Sequence, residues 1–183
     1  MNILLAFTPF LVFVLFERLG GTFSGLVTAA VAAFAMIIRD QMRGRGSWKV
    51  LEIGTVLLFS GLALYVMATG DVWSISEVRL RVDAGLLAIV LLSLAIRTPF
   101  TLQYAREQSS RKLWKEPAFV KANYKITLAW AAAFAVLVAA DLLLIYKPEL
   151  PVAIGVSATI VALAAAVRFT ASYPNRIQVP SRN

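Results

Sequence analysis

The chain has 183 residues, of which 60% are hydrophobic and 15% are charged, and its mean hydropathy is +0.76. A soluble domain is typically about 45–50% apolar and about 25% charged, so this chain has more apolar surface than a core of its size can bury. The absence of Cys and His excludes disulfides, thiolate metal sites, thiol nucleophiles and imidazole chemistry. We therefore expect one integral membrane domain over residues 1–183, without a metal or cofactor.

The first apolar stretch covers residues 3–16 and is short for a full span, because about 20 helical residues cross a typical bilayer core. A signal peptide is not expected, since no basic residue precedes the stretch and no clear small-residue cleavage site follows it. We predict a short or tilted helix broken at Thr8 and Pro9, with a re-entrant half-helix as the alternative. Gly20 and Gly21 then predict a tight turn.

The second predicted helix covers residues 23–38 and carries small residues at a four-residue spacing. These residues are Gly21, Gly25, Ala29 and Ala33. Because residues four apart share one helix face, the spacing predicts a surface where another helix backbone can approach closely. An Ala-rich composition without packing significance is the alternative for any one pair.

Four further apolar stretches complete a predicted all-α, polytopic transmembrane bundle of about six helices. They cover residues 50–68, 82–96, 126–146 and 152–170. A polar link over residues 70–81 precedes the fourth helix. A turn over residues 147–151 precedes the sixth, with Pro151 suited to a first helical position.

Basic residues are unevenly distributed among the links of this six-span arrangement. The links over residues 39–49 and 97–125, together with the C-terminal end, hold most of the 18 Lys and Arg residues. Such residues collect in the cytoplasmic loops of membrane proteins. We therefore predict that both termini and residues 97–125 are cytoplasmic. The net charge of +8 is explained by this topology, so no nucleic-acid partner is expected.

The segment over residues 97–125 is predicted to be an amphipathic basic link, with short helices starting at Pro99 and Pro117. Such segments lie in the headgroup plane, with their basic side toward anionic lipid. The alternative is a docking surface for a protein partner. The candidate interfacial or docking residues are Arg111, Lys112, Lys115, Trp114 and Phe119.

Acidic residues within the apolar stretches are few. Asp141 lies in the fifth helix, and an acid inside the membrane is a functional hypothesis by default. It is also only about 7.5 Å of helix rise from the helix end, so a buried polar contact and an interfacial position are equally open. Glu17 is expected at an interface, and Glu52 and Asp83 near helix starts, where acids suit the helix dipole. The spacing predicts no paired-carboxylate site.

Four groups of short motifs are distributed along nearly the whole chain. They are Thr8-Pro9-Phe10-Leu11-Val12-Phe13 continuing to Phe16, Arg97-Thr98-Pro99, Leu128-Ala129-Trp130-Ala131 with Phe134 after Pro117 and Asn123, and Tyr173-Pro174. In these motifs the chain resembles the intracellular septation protein A family of bacterial inner-membrane proteins. The resemblance implies no catalytic residues.

The resemblance implies a non-enzymatic protein of the bacterial inner membrane that supports cell-envelope maintenance, septation or cell division. The partners it implies are proteins of the division or elongation machinery. Anionic lipid headgroups are the expected membrane contact, and a homo-oligomer stays open. A small oligomeric transporter or channel is the alternative function. A lipid-modifying enzyme is a further alternative, for which the sequence supplies only scattered acids.

Overall fold

The computed structural model describes residues 3–42 and 48–173. The predicted Pro174 motif, the rest of the C-terminal tail and residues 43–47 lie outside this part. The helices are α1 (Thr8–Met42), α2 (Val50–Thr69), α3 (Ile75–Ala95), α4 (Phe100–Glu107), α5 (Pro117–Tyr146) and α6 (Val152–Ser172). Two 3-10 turns, Ile3–Phe7 and Arg111–Lys115, precede α1 and α5. The prediction of an all-α helical bundle is confirmed.

The long helix α1 reverses direction at Gly21. This residue has a φ of 80° and a ψ of 175°, a conformation that favours glycine. A Cβ atom built on Gly25 would lie 3.0 Å from the backbone nitrogen of Glu17 and 3.0 Å from the carbonyl oxygen of Phe13. In a continuous helix, residues eight apart are separated by about 12 Å. The tight turn predicted at Gly20 and Gly21 is therefore present, and α1 is a hairpin of two antiparallel arms.

The break predicted at Thr8 and Pro9 is instead a change from 3-10 to α geometry. Thr8 begins α1, and its hydroxyl Oγ1 donates a hydrogen bond to the Leu5 carbonyl oxygen at 2.7 Å. Pro9 fits the first turn because it has no backbone N–H to leave without an acceptor. The sequence therefore marks a helix start at this position.

The bundle has two ends, which we name by their connections. The link end holds α4, the end of α1 and the start of α2, and Phe7 lies there, 6.5 Å from Phe100 between ring centroids. The turn end holds Gly21 and the α2–α3 and α5–α6 connections. The first arm of α1 runs between these ends, because Phe7 packs at one and Glu17 lies close to Arg79 at the other. The chain thus passes six times between the two ends.

Four helices are long and apolar enough to cross a membrane when α1 is counted once. They are Leu5–Met42, Val50–Thr69, Pro117–Tyr146 and Val152–Ser172. A fifth candidate is the pair formed by α3 and α4, which are bent by 73° at their junction. Large apolar side chains cover the outside, as shown by Leu11 at 70% and Val161 at 68% exposed. A contiguous apolar exterior suits lipid, so the chain is a multi-pass membrane protein.

Two helix starts differ from the sequence-based prediction. Helix α3 begins at Ile75 and not at residue 82, because Ser74 and Glu77 form a capping box. The Ser74 backbone N–H donates to Glu77 Oε2 at 2.8 Å, and Ser74 Oγ accepts from the Glu77 N–H at 3.3 Å. Pro117 begins the long helix α5 and not a second short helix. The basic link consequently ends at residue 116, and residues 117–125 are part of α5.

Aromatic packing fixes the first arm of α1 against the bundle. The Phe7 ring stacks on Trp130 with a centroid distance of 4.8 Å, and Phe13 packs against Phe59 at 5.6 Å. Trp130 is almost fully buried, and its Nε1–H donates to Thr170 Oγ1 at 2.9 Å. This bond satisfies the polar atom of a buried tryptophan while tying α5 to α6.

The topology is tested by reporters placed at the two ends of the bundle. A reporter fused at the C-terminus and one inserted between Ser109 and Ser110 should both lie in the cytoplasm, because the link carries the basic excess. A reporter inserted at Pro148 should lie on the opposite side. Protease accessibility in sealed vesicles measures each position. Location of all three reporters on one side would contradict the six-pass path.

The Gly25 contact is tested by comparison with Gly61, a second glycine inside a helix. Gly25→Leu should lower stability by about 1–3 kcal/mol, because the new side chain must displace the Phe13 and Glu17 backbone. Gly61→Leu should leave stability unchanged or slightly higher, since among the described residues no atom beyond its chain neighbours and its own helix backbone lies within 4 Å of a Cβ there. Thermal unfolding in detergent measures both variants. Equal losses would show that close helix approach is not what Gly25 provides.

Candidate functional site

A fully buried lysine joins three helices at the link end. The Lys49 ammonium nitrogen Nζ donates to Asp40 Oδ2 at 2.7 Å and to Glu52 Oε1 at 3.0 Å. It also lies 2.9 Å from Glu107 Oε1. The Lys49 side chain is 0% exposed. We call Asp40, Lys49, Glu52, Tyr104 and Glu107 the Lys49 cluster.

Neighbouring groups complete the polar contacts of the Lys49 cluster. The Tyr104 hydroxyl donates to Glu52 Oε1 at 3.2 Å, and the Lys49 Nζ atom lies 5.1 Å from the Tyr104 ring centroid. Gln103 Oε1 accepts a hydrogen bond from the Val50 backbone N–H at 2.9 Å. Helix α4 is therefore tied to the start of α2 by both a charged and a neutral contact.

The protonation state of Lys49 limits the chemistry of this cluster. Burial alone would lower the pKa of its ammonium group, but hydrogen bonds to Asp40, Glu107 and Glu52 outweigh burial and hold the pKa above its ordinary 10.5. Lys49 is therefore protonated at neutral pH, and a protonated amine has no free electron pair for nucleophilic attack or proton abstraction. The geometry of the Lys49 cluster therefore supports a structural role, in which the Lys49 ammonium group joins α1, α2 and α4.

A second charged cluster lies inside the bundle near the turn end. Asp141 of α5 is 1% exposed, and its Oδ1 atom lies 3.4 Å from Arg79 Nη2 of α3. The same Arg79 nitrogen donates to Thr159 Oγ1 of α6 at 3.4 Å. Glu17 of α1 also lies close to Arg79, and Asp83 lies beside Asp141. We call these five residues the Arg79 cluster.

Several carboxylate oxygens of the Arg79 cluster lack hydrogen bonds. Asp141 Oδ1 and Oδ2 and Glu17 Oε1 are buried, and none has a hydrogen-bond partner within the described part of the chain. The Arg79–Asp141 contact thus has an ion-pair distance without hydrogen-bond geometry. Such unsatisfied buried acceptors are rare in folded proteins and call for a donor.

The structure corrects the expectation for Asp83. The sequence-based prediction placed it near a helix start, whereas it lies in the third turn of α3, which begins at Ile75. Arg79 and Asp83 are four residues apart and share one helix face. Asp141 is buried inside the bundle and not at its surface, so of the two alternatives the structure shows the buried polar contact. The two aspartates are therefore brought together, a pairing that sequence spacing did not predict.

The predicted small-residue face divides between two environments. Gly25, Ala29 and Ala33 are buried, and Ala29 packs in a cluster around Phe59 of α2. Gly21 is exposed at the reversal of α1. The close contact of Gly25 is with the other arm of the same hairpin.

The candidate residues of the basic link are also differently placed. Arg111, Lys112 and Lys115 are exposed on the 3-10 turn. Trp114 is half-buried, and its Nε1–H donates to the Arg106 carbonyl oxygen at 3.1 Å. Phe119 is half-buried in the first turn of α5. Trp114 is thus held by its own chain, while the three basic side chains project outward.

Across residues 3–42 and 48–173, no group of three or more His, Cys, Asp or Glu side chains is arranged to hold a metal ion. In the Lys49 cluster, the three carboxylates converge on the ammonium group of Lys49. In the Arg79 cluster, the guanidinium group of Arg79 lies within ion-pair distance of Asp141, with Glu17 and Asp83 nearby. Both clusters are therefore organised around a cationic side chain.

The structural role of Lys49 is tested by replacing it with a neutral side chain of similar length. Lys49→Met should lower stability by about 3–5 kcal/mol, because buried carboxylates lose their counter-charge. Lys147→Met is the matched control, since the Lys147–Glu149 pair is exposed and 4.0 Å apart. This control should change stability by less than about 0.5 kcal/mol. Thermal unfolding in detergent measures both, and equal effects would refute the role assigned to Lys49.

No protein-family model, curated protein or solved structure matches the chain. The resemblance to the intracellular septation protein A family therefore stays a prediction from the residues quoted above.

Proposed function

We propose that the chain is a non-enzymatic, multi-pass protein of the bacterial inner membrane that supports cell-envelope maintenance, septation or cell division through protein partners. Both termini are cytoplasmic in this proposal, and so is the basic link. The observation that carries the proposal is the basic surface of the segment between α3 and α5, where Arg111, Lys112 and Lys115 are exposed.

That surface is held in a defined position by contacts at both of its sides. Thr101 Oγ1 of α4 donates to the Asn123 carbonyl oxygen of α5 at 2.8 Å, and the Phe100 backbone N–H donates to Ser93 Oγ of α3 at 3.2 Å. The Lys49 cluster adds the tie to α1 and α2. A rigid platform presenting exposed basic side chains suits recognition of an acidic surface, since little ordering is needed on binding.

The contribution of charge is tested in the full-length protein in native membranes. The triple variant R111Q/K112Q/K115Q should lose crosslinks to partner proteins and fail to restore normal septation in a deletion strain. The matched control is Lys147→Gln, which removes an exposed charge at the turn end and should behave as wild type. Crosslinking with mass spectrometry and measurement of cell length provide the readouts. Intact partner crosslinks in the triple variant would refute docking through this surface.

A comparison of Trp114 variants separates partner contact from internal support. Trp114→Phe keeps an aromatic ring but removes the Nε1–H donor to Arg106. If the ring contacts a partner, Trp114→Ala should lose crosslinks while Trp114→Phe retains them. Equal damage by both variants would place the importance of Trp114 in the folding of the link.

A small oligomeric transporter or channel is the second candidate function, and the Arg79 cluster favours it. Ionisable residues inside a membrane bundle often mark ion or proton pathways. The helices that contribute to the cluster, α1, α3, α5 and α6, come from the whole length of the chain. Flux measurements in proteoliposomes with wild type and Asp141→Asn distinguish this candidate from partner docking, which does not require Asp141.

A further inference from the structure

We propose that Asp83 and Asp141 form a binding site for one exchangeable proton inside the helix bundle, with Arg79 as the fixed counter-charge. This inference goes beyond the proposed function and does not depend on it. It rests on the geometry of the Arg79 cluster and on its unsatisfied carboxylate oxygens.

The charges of the cluster do not balance when every acid is ionised. Glu17, Asp83 and Asp141 come from three helices, whereas the cations near these three carboxylates are two, Arg79 and, beside Glu17, Arg18. One guanidinium group neutralises one carboxylate. A further carboxylate in an apolar interior would be uncompensated, at a cost of several kcal/mol. A proton on a neighbouring carboxyl group removes that cost.

The buried oxygens of Asp141 are an independent indication of where the proton lies. Asp141 is 1% exposed, and neither of its oxygens has a hydrogen bond among the described residues. Asp83 is its carboxyl neighbour. A protonated Asp83 has an O–H donor and would supply the missing bond, whereas an ionised Asp83 has acceptors alone. The proton is therefore assigned to Asp83, with Asp141 as the acceptor.

The surroundings favour a proton over a metal ion. Arg79 lies 3.4 Å from Asp141 and would repel a second cation at that position. Thr159 adds one hydroxyl oxygen, but this atom already accepts from Arg79. Arg81 faces elsewhere, over the Trp73 ring at 4.2 Å, and Arg18 lies next to Glu17. Hard cations such as sodium need several converging oxygen ligands, and no group of three or more Asp or Glu side chains among the described residues is arranged to hold a metal ion.

The exchange of this proton has a defined structural consequence. Asp83 is half-buried and the Arg79 side chain is 24% exposed, whereas the Asp141 side chain is 1% exposed, so Asp83 is the more accessible of the two carboxyl groups. An ionised Asp83 competes for Arg79, which shares its helix face. Arg79 then moves away from Asp141 of α5 and Thr159 of α6. Proton occupancy is thereby coupled to the contact of α3 with α5 and α6.

The proposal is tested by infrared spectroscopy of the full-length protein in lipid nanodiscs at neutral pH. Wild type should show the C=O stretch of a buried protonated carboxyl group, with a downshift on transfer to D2O. Asp83→Asn should lose this band, and Arg79→Gln should increase it, because both aspartates must then be neutral. Asp71→Asn, at an exposed acid of the α2–α3 connection, is the matched control and should keep the wild-type spectrum.

Three results would overturn the proposal. The first is a wild-type spectrum with no protonated carboxyl band. The second is a band that survives Asp83→Asn but disappears in Glu17→Gln, which would place the proton on Glu17. The third is a band that grows when sodium is replaced by choline, which would identify a sodium site. Asp141→Asn provides a check if Asp83→Asn unfolds: Arg79 then has Asp83 alone to neutralise, so the band should be lost, and a band that persists would contradict a shared proton.

Discussion

A charged side chain inside an apolar bundle needs a counter-charge from another helix, because water is not there to solvate it. This constraint governs both ends of the molecule. At the link end, carboxylates of α1, α2 and α4 form ion pairs with the ammonium group of Lys49. At the turn end, Arg79 of α3 meets Asp141 of α5 and Thr159 of α6. The few buried charged groups of these helices thus fix how the helices pack against one another.

The two clusters differ in how completely their polar atoms are satisfied. Lys49 donates to its carboxylate partners at distances of 3.0 Å or less, and Tyr104 supports Glu52. In the Arg79 cluster, the Arg79–Asp141 ion-pair distance is 3.4 Å and the Asp141 oxygens lack donors within the described residues. A fully satisfied buried network rigidifies the elements it joins. The link end is therefore the more firmly held of the two ends.

A structural feature could be predicted from the sequence where the residues that determine it are close together in the chain. Hydrophobicity identified the helices, and Gly20 and Gly21 identified the reversal of α1, because turn chemistry acts within a few residues. The signal for the start of α3 is also local, because Ser74 and Glu77 form a capping box. The sequence-based prediction nevertheless placed the first seven residues of α3 in a link. With Arg79 placed in a link, the sequence did not indicate that Arg79 and Asp83 share one helix face. It also did not indicate that both residues lie near Asp141.

The Lys49 cluster could not be predicted in the same way. Lys49 stands in a basic link, where a solvated side chain is the ordinary expectation. One of its ion-pair partners, Glu107, is 58 residues away and comes into contact because α4 folds back over the start of α2. No spacing rule relates these residues. The contact follows from the 73° bend between α3 and α4, and that bend is a tertiary feature.

Helices α3 and α5 form the frame that both ends share. At the link end, Ser93 of α3 and Asn123 of α5 hold α4 by hydrogen bonds. At the turn end, the same two helices carry Arg79, Asp83 and Asp141. A substitution that separates α3 from α5 would therefore disturb the basic surface and the proton site together. An isosteric change such as Asp83→Asn preserves volume and removes only the titrating group, so it can report on one end while the other stays intact.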